Sequence, residues 1–133
     1  MTRPVGGYIT GMALHKTLEN DSRAPGQARQ AIAKFLDRTH LSKLSDDAQL
    51  LASELVTNAV RHARGPIDVR AYVRDGFLRM EVWDRQADVN PAPRTAEEDD
   101  ESGRGMDIVE KVSSRWGWHK VDGGKVVWID LRL

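Results

Sequence analysis

This chain of 133 residues contains segments with the apolar periodicity of β-strands and segments with that of α-helices. The order of these segments limits the folds that the chain can adopt. Apolar and polar residues alternate, as in half-buried strands, in five segments: residues 12–18, 67–73, 77–83, 116–121 and 125–133. Apolar residues recur at helical spacing in three segments: residues 28–36, 45–63 and 106–112. The order predicts an α+β fold, a two-layer α/β sandwich in which a mixed, mostly antiparallel sheet carries three helices on one face.

Turn and cap residues mark the ends of these segments. Pro25 suits the first turn of a helix, and Ser45 is expected to be the N-cap of the next one. The tripeptides at residues 74–76 (Arg-Asp-Gly) and 122–124 (Asp-Gly-Gly) are typical of tight hairpin turns. Both pairs of neighbouring strands are therefore predicted to form antiparallel hairpins.

Composition excludes several classes of protein. Lys plus Arg equals Asp plus Glu at 20 each, so the zero net charge gives no support for a nucleic-acid or anionic-membrane partner. The absence of cysteine excludes a disulfide framework, a thiolate metal site and a thiol nucleophile. No apolar run approaches the roughly 20 residues of a membrane helix, and no signal peptide is evident. We expect a soluble cytoplasmic protein with a flexible leader at residues 1–11 and one domain at residues 12–133.

The helix predicted for residues 45–63 has a polar border beside a wide apolar arc. Glu54, Asn58 and His62 follow one another at intervals of four residues along this border. The Asn58 side-chain oxygen can bind Mg²⁺, and Glu54 can orient or deprotonate an attacking hydroxyl group or water. The alternative is an ordinary solvated helix flank. For His62, a hydrogen-bonded histidine at a helix end is favoured over a ligand.

A glycine-rich tetrapeptide, Gly103-Arg104-Gly105-Met106, is expected to open the third helix. Glycine lets backbone N–H groups approach a phosphate closely, and the N-terminus of a helix adds positive potential. Such glycines also simply end loops, so the motif is weak by itself. It follows a long segment, about residues 85–102, that we interpret as a mobile lid.

Asp84 ends the second strand of the first hairpin, where the lid begins. A carboxylate at this place can accept a hydrogen bond from the exocyclic amine of adenine. The alternative is an aspartate that only stabilises a turn at the strand end.

These residues together resemble the motifs of a known superfamily. Residues 54–63 (ELVTNAVRHA) resemble the N-box of the GHKL ATPases, which include histidine kinases and Hsp90. Asp84 stands where their G1 box begins, and residues 102–109 (SGRGMDIV) resemble their G2 box. Within the superfamily, the chain is most similar to the anti-sigma-factor serine/threonine kinases. The resemblance implies the Bergerat ATP-binding fold.

The resemblance also implies roles for individual residues. Glu54 would be the general base for phosphoryl transfer, and Asn58 would bind Mg²⁺. The residues implied to bind ATP are Asn58, His62, Asp84, Gly103, Arg104, Gly105 and Met106. The implied protein substrate is a serine or threonine of an antagonist (anti-anti-sigma) protein. A sigma factor and a second copy of the chain are the other implied partners.

The chain departs from the family pattern at two positions. Gln86 stands where the G1 box usually has glycine, and Lys125 follows Gly124 where a threonine hydroxyl is common. Both departures bear on nucleotide affinity more than on fold. They keep open an alternative function, a non-catalytic interaction module whose binding surface is set by ATP or ADP.

Overall fold

The computed structural model describes residues 13–85 and 100–133, and side chains in the second range from residue 106 onward. The expected leader and residues 86–99 of the expected lid, which include Gln86, lie outside the described residues. The helices and strands in chain order are β1 (Ala13–Leu18), α1 (Ala24–Arg38), a 3-10 helix (Ser42–Leu44), α2 (Ser45–His62), β2 (Ile67–Arg74), β3 (Phe77–Asp84), α3 (Asp100–Val112), β4 (Arg115–Val121) and β5 (Gly124–Arg132). No helix in the described ranges is long and apolar enough to cross a membrane.

The five strands form one sheet in the order β1-β2-β3-β5-β4. Every pairing between the described strands is antiparallel, so the parallel part of the expected mixed sheet is not found among them. The hairpin of β4 and β5 brings β5, not β4, against β3. This arrangement places Asp84 opposite Lys125 at the end of the β3–β5 pair.

Tight turns produce both predicted hairpins. Asp75 and Gly76 join β2 to β3, with φ angles of 53° and 83°. Two successive residues at positive φ characterise the type I′ turn, whose twist matches that of antiparallel strands. Gly123, at φ 78°, serves the turn between β4 and β5. The hairpin predictions are confirmed.

The core lies between the sheet and the three helices. Inward-facing residues of the central strands are fully or almost fully buried: Val69, Ala71, Leu78, Met80, Val82, Val127 and Ile129. The helices cover them with Ile32, Phe35, Leu36, Leu51, Leu55, Val56, Met106 and Val109. The predicted two-layer sandwich, with three helices on one face of the sheet, is confirmed.

The opposite face of the sheet carries arginine side chains against aromatic rings and carboxylates. The Arg79 guanidinium lies 4.1 Å from the centre of the Trp128 ring, and Arg79 also donates two hydrogen bonds of 2.8 Å to Asp130. Arg115 donates to the same carboxylate at 2.6 Å. Burial of Asp130 opposes its ionisation, but the hydrogen bonds from Arg79 and Arg115 outweigh that effect and hold its pKa below the ordinary value. These contacts join β3, β5 and β4 across the sheet.

The prediction that Ser45 is the N-cap of α2 is wrong. Ser45 is the first residue of α2 and not its N-cap, because the preceding 3-10 helix already continues into the helix through Leu44. The Ser45 hydroxyl instead accepts a hydrogen bond of 2.9 Å from the Gln49 side chain. Asp46 and Asp47 remain in the first turn, where the helix dipole favours negative charge.

Candidate functional site

Helix α2 is held against its neighbours on two sides. Its apolar residues, including Leu51 and Leu55, pack on the sheet. Arg29 of α1 donates a hydrogen bond of 2.8 Å to the hydroxyl of Ser53, which is itself buried. Ser53 precedes Glu54, so this contact fixes α2 directly beside the predicted catalytic residue. The sequence analysis did not identify it, because only the packing of α1 on α2 brings the two residues together.

The polar border of α2 is less exposed than an ordinary solvated helix flank. Asn58 is only 8% exposed, and Glu54 and His62 are partly buried. Because successive helical residues are rotated by about 100°, side chains four residues apart lie on one side of a helix. Glu54 and Asn58 therefore share one side of α2. His62 is the last residue of the helix, where its position also fits the simpler interpretation as a helix-end histidine.

Helix α2 contacts three elements that carry the other predicted site residues. It packs against β3, β5 and α3, on which Asp84, Lys125 and the glycine-rich motif lie. Segments that are far apart in sequence thus meet around one helix.

Asp84 and Lys125 form a buried ion pair. The Lys125 ammonium group donates a hydrogen bond of 2.7 Å to Oδ2 of Asp84. Lys125 is 0% exposed and Asp84 is 6% exposed. Sequence reasoning treated Lys125 only as a missing hydroxyl and did not foresee the pair. The sequence did contain one indication of the pair. Asp84 and Lys125 are charged residues at positions where the alternating pattern of their strands predicts inward-facing, buried side chains.

Gly124 makes the close approach of β3 and β5 possible. A Cβ atom at this position would collide with the Asp84 backbone carbonyl oxygen and would lie 2.9 Å from the Arg85 Cα. Only glycine fits here, because the obstructing atoms belong to the backbone and cannot rotate away. The pairing of Asp84 with Lys125 therefore depends on the glycine beside it.

The glycine-rich motif lies inside α3 and does not open it. The helix begins at Asp100, so Gly103, Arg104 and Gly105 occupy its first two turns. In this conformation the N–H group of Gly105 belongs to the hydrogen-bond ladder within the helix, since only the first four N–H groups stay free.

Beyond this motif, α3 is anchored by apolar contacts. Met106 and Val109 are 2% and 0% exposed and belong to the core. The side chain of Met106 therefore has a structural role in the core, beside the ATP-binding role that the resemblance implies.

The described donor atoms suit Mg²⁺ that arrives with a nucleotide. Mg²⁺ keeps several waters and takes one or two protein ligands together with phosphate oxygens. Asn58 provides one amide oxygen. The described residues include no group of three or more His, Cys, Asp or Glu side chains that can hold a metal ion. The amide oxygen of Asn58 suits the role of one protein ligand to an Mg²⁺ ion that phosphate oxygens also bind.

A groove of about 530 Å³ lies elsewhere, between β1 and α1. Its lining includes Lys16, Lys34 and Arg38, but none of the predicted site residues. This groove is therefore separate from the candidate site.

Comparisons with solved structures agree with this architecture. A crystal structure of the RsbU and RsbW domains of Rv1364c from Mycobacterium tuberculosis is 25% identical over 91% of this chain, with a TM-score of 0.68. This chain covers 32% of the length of that one. The blue-light activated histidine kinase EL346 of Erythrobacter litoralis is 25% identical, with a TM-score of 0.53, over 69% of this chain and 31% of the other.

The histidine kinase domain of EL346, at 23% identity and a TM-score of 0.54, covers 82% of this chain and 59% of its own, and supports the fold alone. No curated protein matches the sequence at a significant level. A family model described as a histidine kinase-like ATPase domain matches residues 18–131, which span every described strand and helix except most of β1 and the last residue of β5. The chain belongs to the histidine kinase-like ATPase family.

Proposed function

We propose that this protein is an ATP-dependent serine/threonine kinase of the anti-sigma-factor type. It binds ATP with Mg²⁺, phosphorylates an antagonist protein and regulates transcription by partner switching. The observation that carries the proposal is the placement of Glu54 and Asn58 on one side of α2, at a helix that packs on the elements bearing Asp84 and the glycine-rich motif. Family membership and the similarity to a structure that contains an RsbW domain support it.

The proposed reaction transfers the γ-phosphoryl group of ATP. The oxygen of a serine or threonine hydroxyl forms a bond to the γ-phosphorus, while the bond from that phosphorus to the β–γ bridging oxygen breaks and ADP leaves. Glu54 accepts the proton of the hydroxyl group. Asn58 would hold Mg²⁺, which neutralises charge on the phosphates. His62, Asp84, Gly103, Arg104, Gly105 and Met106 are proposed to bind the nucleotide.

Calorimetric titration tests nucleotide binding first. The purified protein is titrated with ATP and with ADP, each with and without Mg²⁺, and Asn58→Ala is titrated in parallel. We expect Mg²⁺ to strengthen ATP binding to the wild type but to have little effect on Asn58→Ala. Equal effects of Mg²⁺ on both proteins would contradict the role of Asn58.

Phosphoryl transfer requires a second assay. The protein is incubated with ATP labelled at the γ-phosphate and with an extract of the cells in which it occurs naturally. The labelled proteins are then hydrolysed, and the phosphorylated residue is identified as phosphoserine or phosphothreonine. Glu54→Gln is the matched control, since it keeps the size of the side chain and removes the base. A label that depends on the wild-type protein and is lost with Glu54→Gln supports the kinase. Equal labelling with both proteins would refute it.

A second candidate function is a non-catalytic, nucleotide-dependent interaction module. The Asp84–Lys125 ion pair favours it, because the carboxylate proposed to recognise adenine already has a partner. In this case ATP or ADP changes partner binding, no phosphoryl group moves, and Glu54→Gln leaves partner binding unchanged.

A further inference from the structure

Strand β1 forms one edge of the sheet. Among the described strands it pairs with β2 alone. In an antiparallel pair, alternate residues of an edge strand point their backbone N–H and C=O groups away from the neighbouring strand. Such groups can pair with a strand from another chain. The edge of β1 is therefore a template for a further strand.

The groove of about 530 Å³ between β1 and α1 lies beside this edge. Its apolar lining comes from Leu14 and Leu18 of β1 and from Ala31 of α1. Leu14 and Leu18 lie on one face of β1, because alternate side chains of a strand point to the same face. A peptide strand added to β1 would direct every second side chain towards the groove in the same way.

The groove is basic. Its lining contains the cations of Lys16, Lys34 and Arg38 and one carboxylate, that of Glu19. All three cations are exposed, and within the part of the chain that the structure describes their side chains form no hydrogen bond or ion pair. Their charges are therefore open to an anionic group that enters the groove.

The spacing of two of these cations suits acidic residues of an extended chain. Lys34 and Arg38 are four residues apart, so they lie on one side of α1, about 6 Å apart along its axis. Successive side chains on one face of a strand are about 7 Å apart. Acidic residues at alternate positions of an added strand thus match the two cations.

We propose that the groove beside β1 binds an extended acidic segment of a partner protein, which adds a strand to the sheet. The backbone of this segment pairs with β1, and its carboxylates contact Lys34 and Arg38. Charge favours this occupant over a second copy of the chain, because pairing two β1 strands would bring two basic grooves together. The surface is separate from the candidate nucleotide site, so the inference does not depend on nucleotide binding.

NMR titration of the isotope-labelled protein with a synthetic peptide tests the proposal. The probe, acetyl-Leu-Thr-Glu-Thr-Glu-Thr-Leu-amide, has its acidic and apolar residues on one face and the same order in both directions. We expect saturable shifts of amide signals in β1 and α1. Replacing both glutamates of the peptide with lysine should weaken binding by about tenfold or more.

Variants of the protein test the same contacts from the other side. The double substitution Lys34→Glu and Arg38→Glu should also weaken binding of the acidic peptide by about tenfold or more. Lys111→Glu is the matched control, since Lys111 is an exposed residue of α3 outside the groove. It should change the dissociation constant by less than about twofold. The lysine peptide is tested on the wild type, so the comparison stays decisive even if the double variant does not fold.

Several outcomes would overturn the proposal. One is failure of the acidic peptide to bind, and another is equal binding of the acidic and lysine peptides. Methylation of the three central backbone nitrogen atoms of the peptide removes donors that an added strand needs, so unchanged binding would reject strand addition. The groove would belong to another occupant if a single-stranded oligonucleotide displaces the peptide, if sedimentation shows a dimer that excludes it, or if it binds only after residues 1–11 are removed.

Discussion

The Asp130→Asn substitution tests the ion pairs that join the strands on the face of the sheet opposite the helices. Asp130 is 1% exposed and accepts three hydrogen bonds, two from Arg79 and one from Arg115. Asparagine has nearly the same shape, but it removes the charge and turns an amino group towards an arginine donor.

The expected loss follows from the exposure of the two arginines. Breaking a buried ion pair costs about 3–5 kcal/mol, whereas exposed pairs contribute about 0–1 kcal/mol. The Arg79 side chain is 21% exposed and that of Arg115 is 55% exposed. Most of the loss therefore comes from Arg79, and we expect Asp130→Asn to lower the free energy of unfolding by about 3 kcal/mol at pH 7. The melting temperature should fall by about 10 °C.

The pH dependence has a definite sign. The pKa of Asp130 is lowered in the folded protein, so the folded state favours the ionised form. This contribution to stability is present above the unfolded pKa of about 3.9 and is lost as the pH falls through the folded pKa. The difference in stability between the wild type and Asp130→Asn should therefore shrink when the pH is lowered from 7 to about 3.

Urea unfolding followed by tryptophan fluorescence measures both effects. Asp37→Asn is the matched control, because Asp37 is exposed and the change should stay within about 0.5 kcal/mol. A loss below about 1 kcal/mol for Asp130→Asn at pH 7 would refute the reasoning, since it would place the pair in the range of surface pairs. A difference that does not vary with pH would also contradict it.

Three further predictions concern backbone space and catalysis. Gly124→Ala should lower the free energy of unfolding, measured by urea titration, by about 3 kcal/mol, because the added Cβ atom clashes with the Asp84 carbonyl oxygen. Gly26→Ala in α1 is the control, since its Cβ atom would meet only an arginine side-chain atom at 3.4 Å. This change should raise the free energy of unfolding by up to about 1 kcal/mol. Asn58→Ala should reduce phosphoryl transfer by about 100-fold or more in single-turnover assays, and normal turnover would reject its role with Mg²⁺. Glu54→Gln should bind ATP as the wild type does but lose turnover, so weakened ATP binding in calorimetry would assign Glu54 to binding instead.

Short-range patterns predicted most of the secondary structure. The helical spacing of Ile32, Phe35 and Leu36 identified α1, and all three are buried. The Asp-Gly sequences identified both hairpin turns, because the backbone of a tight turn requires positive φ, which glycine adopts freely. The Ser45 cap was wrong, since cap preferences do not reveal a 3-10 helix that runs into the next helix.

The sequence by itself determined the site residues as candidates, through spacing along one helix and through motifs read within single segments. Glu54 and Asn58 share a side of α2 because a helix repeats every 3.6 residues, which needs no other part of the chain. Only the tertiary structure decided that Lys125 pairs with Asp84, 41 residues away, and that Arg79 pairs with Asp130, 51 residues away. Both pairs depend on β5 lying beside β3. The physical reason is that the order of strands in the sheet depends on how all five strands and the helices together bury their apolar faces. No pattern within a single segment contains that information.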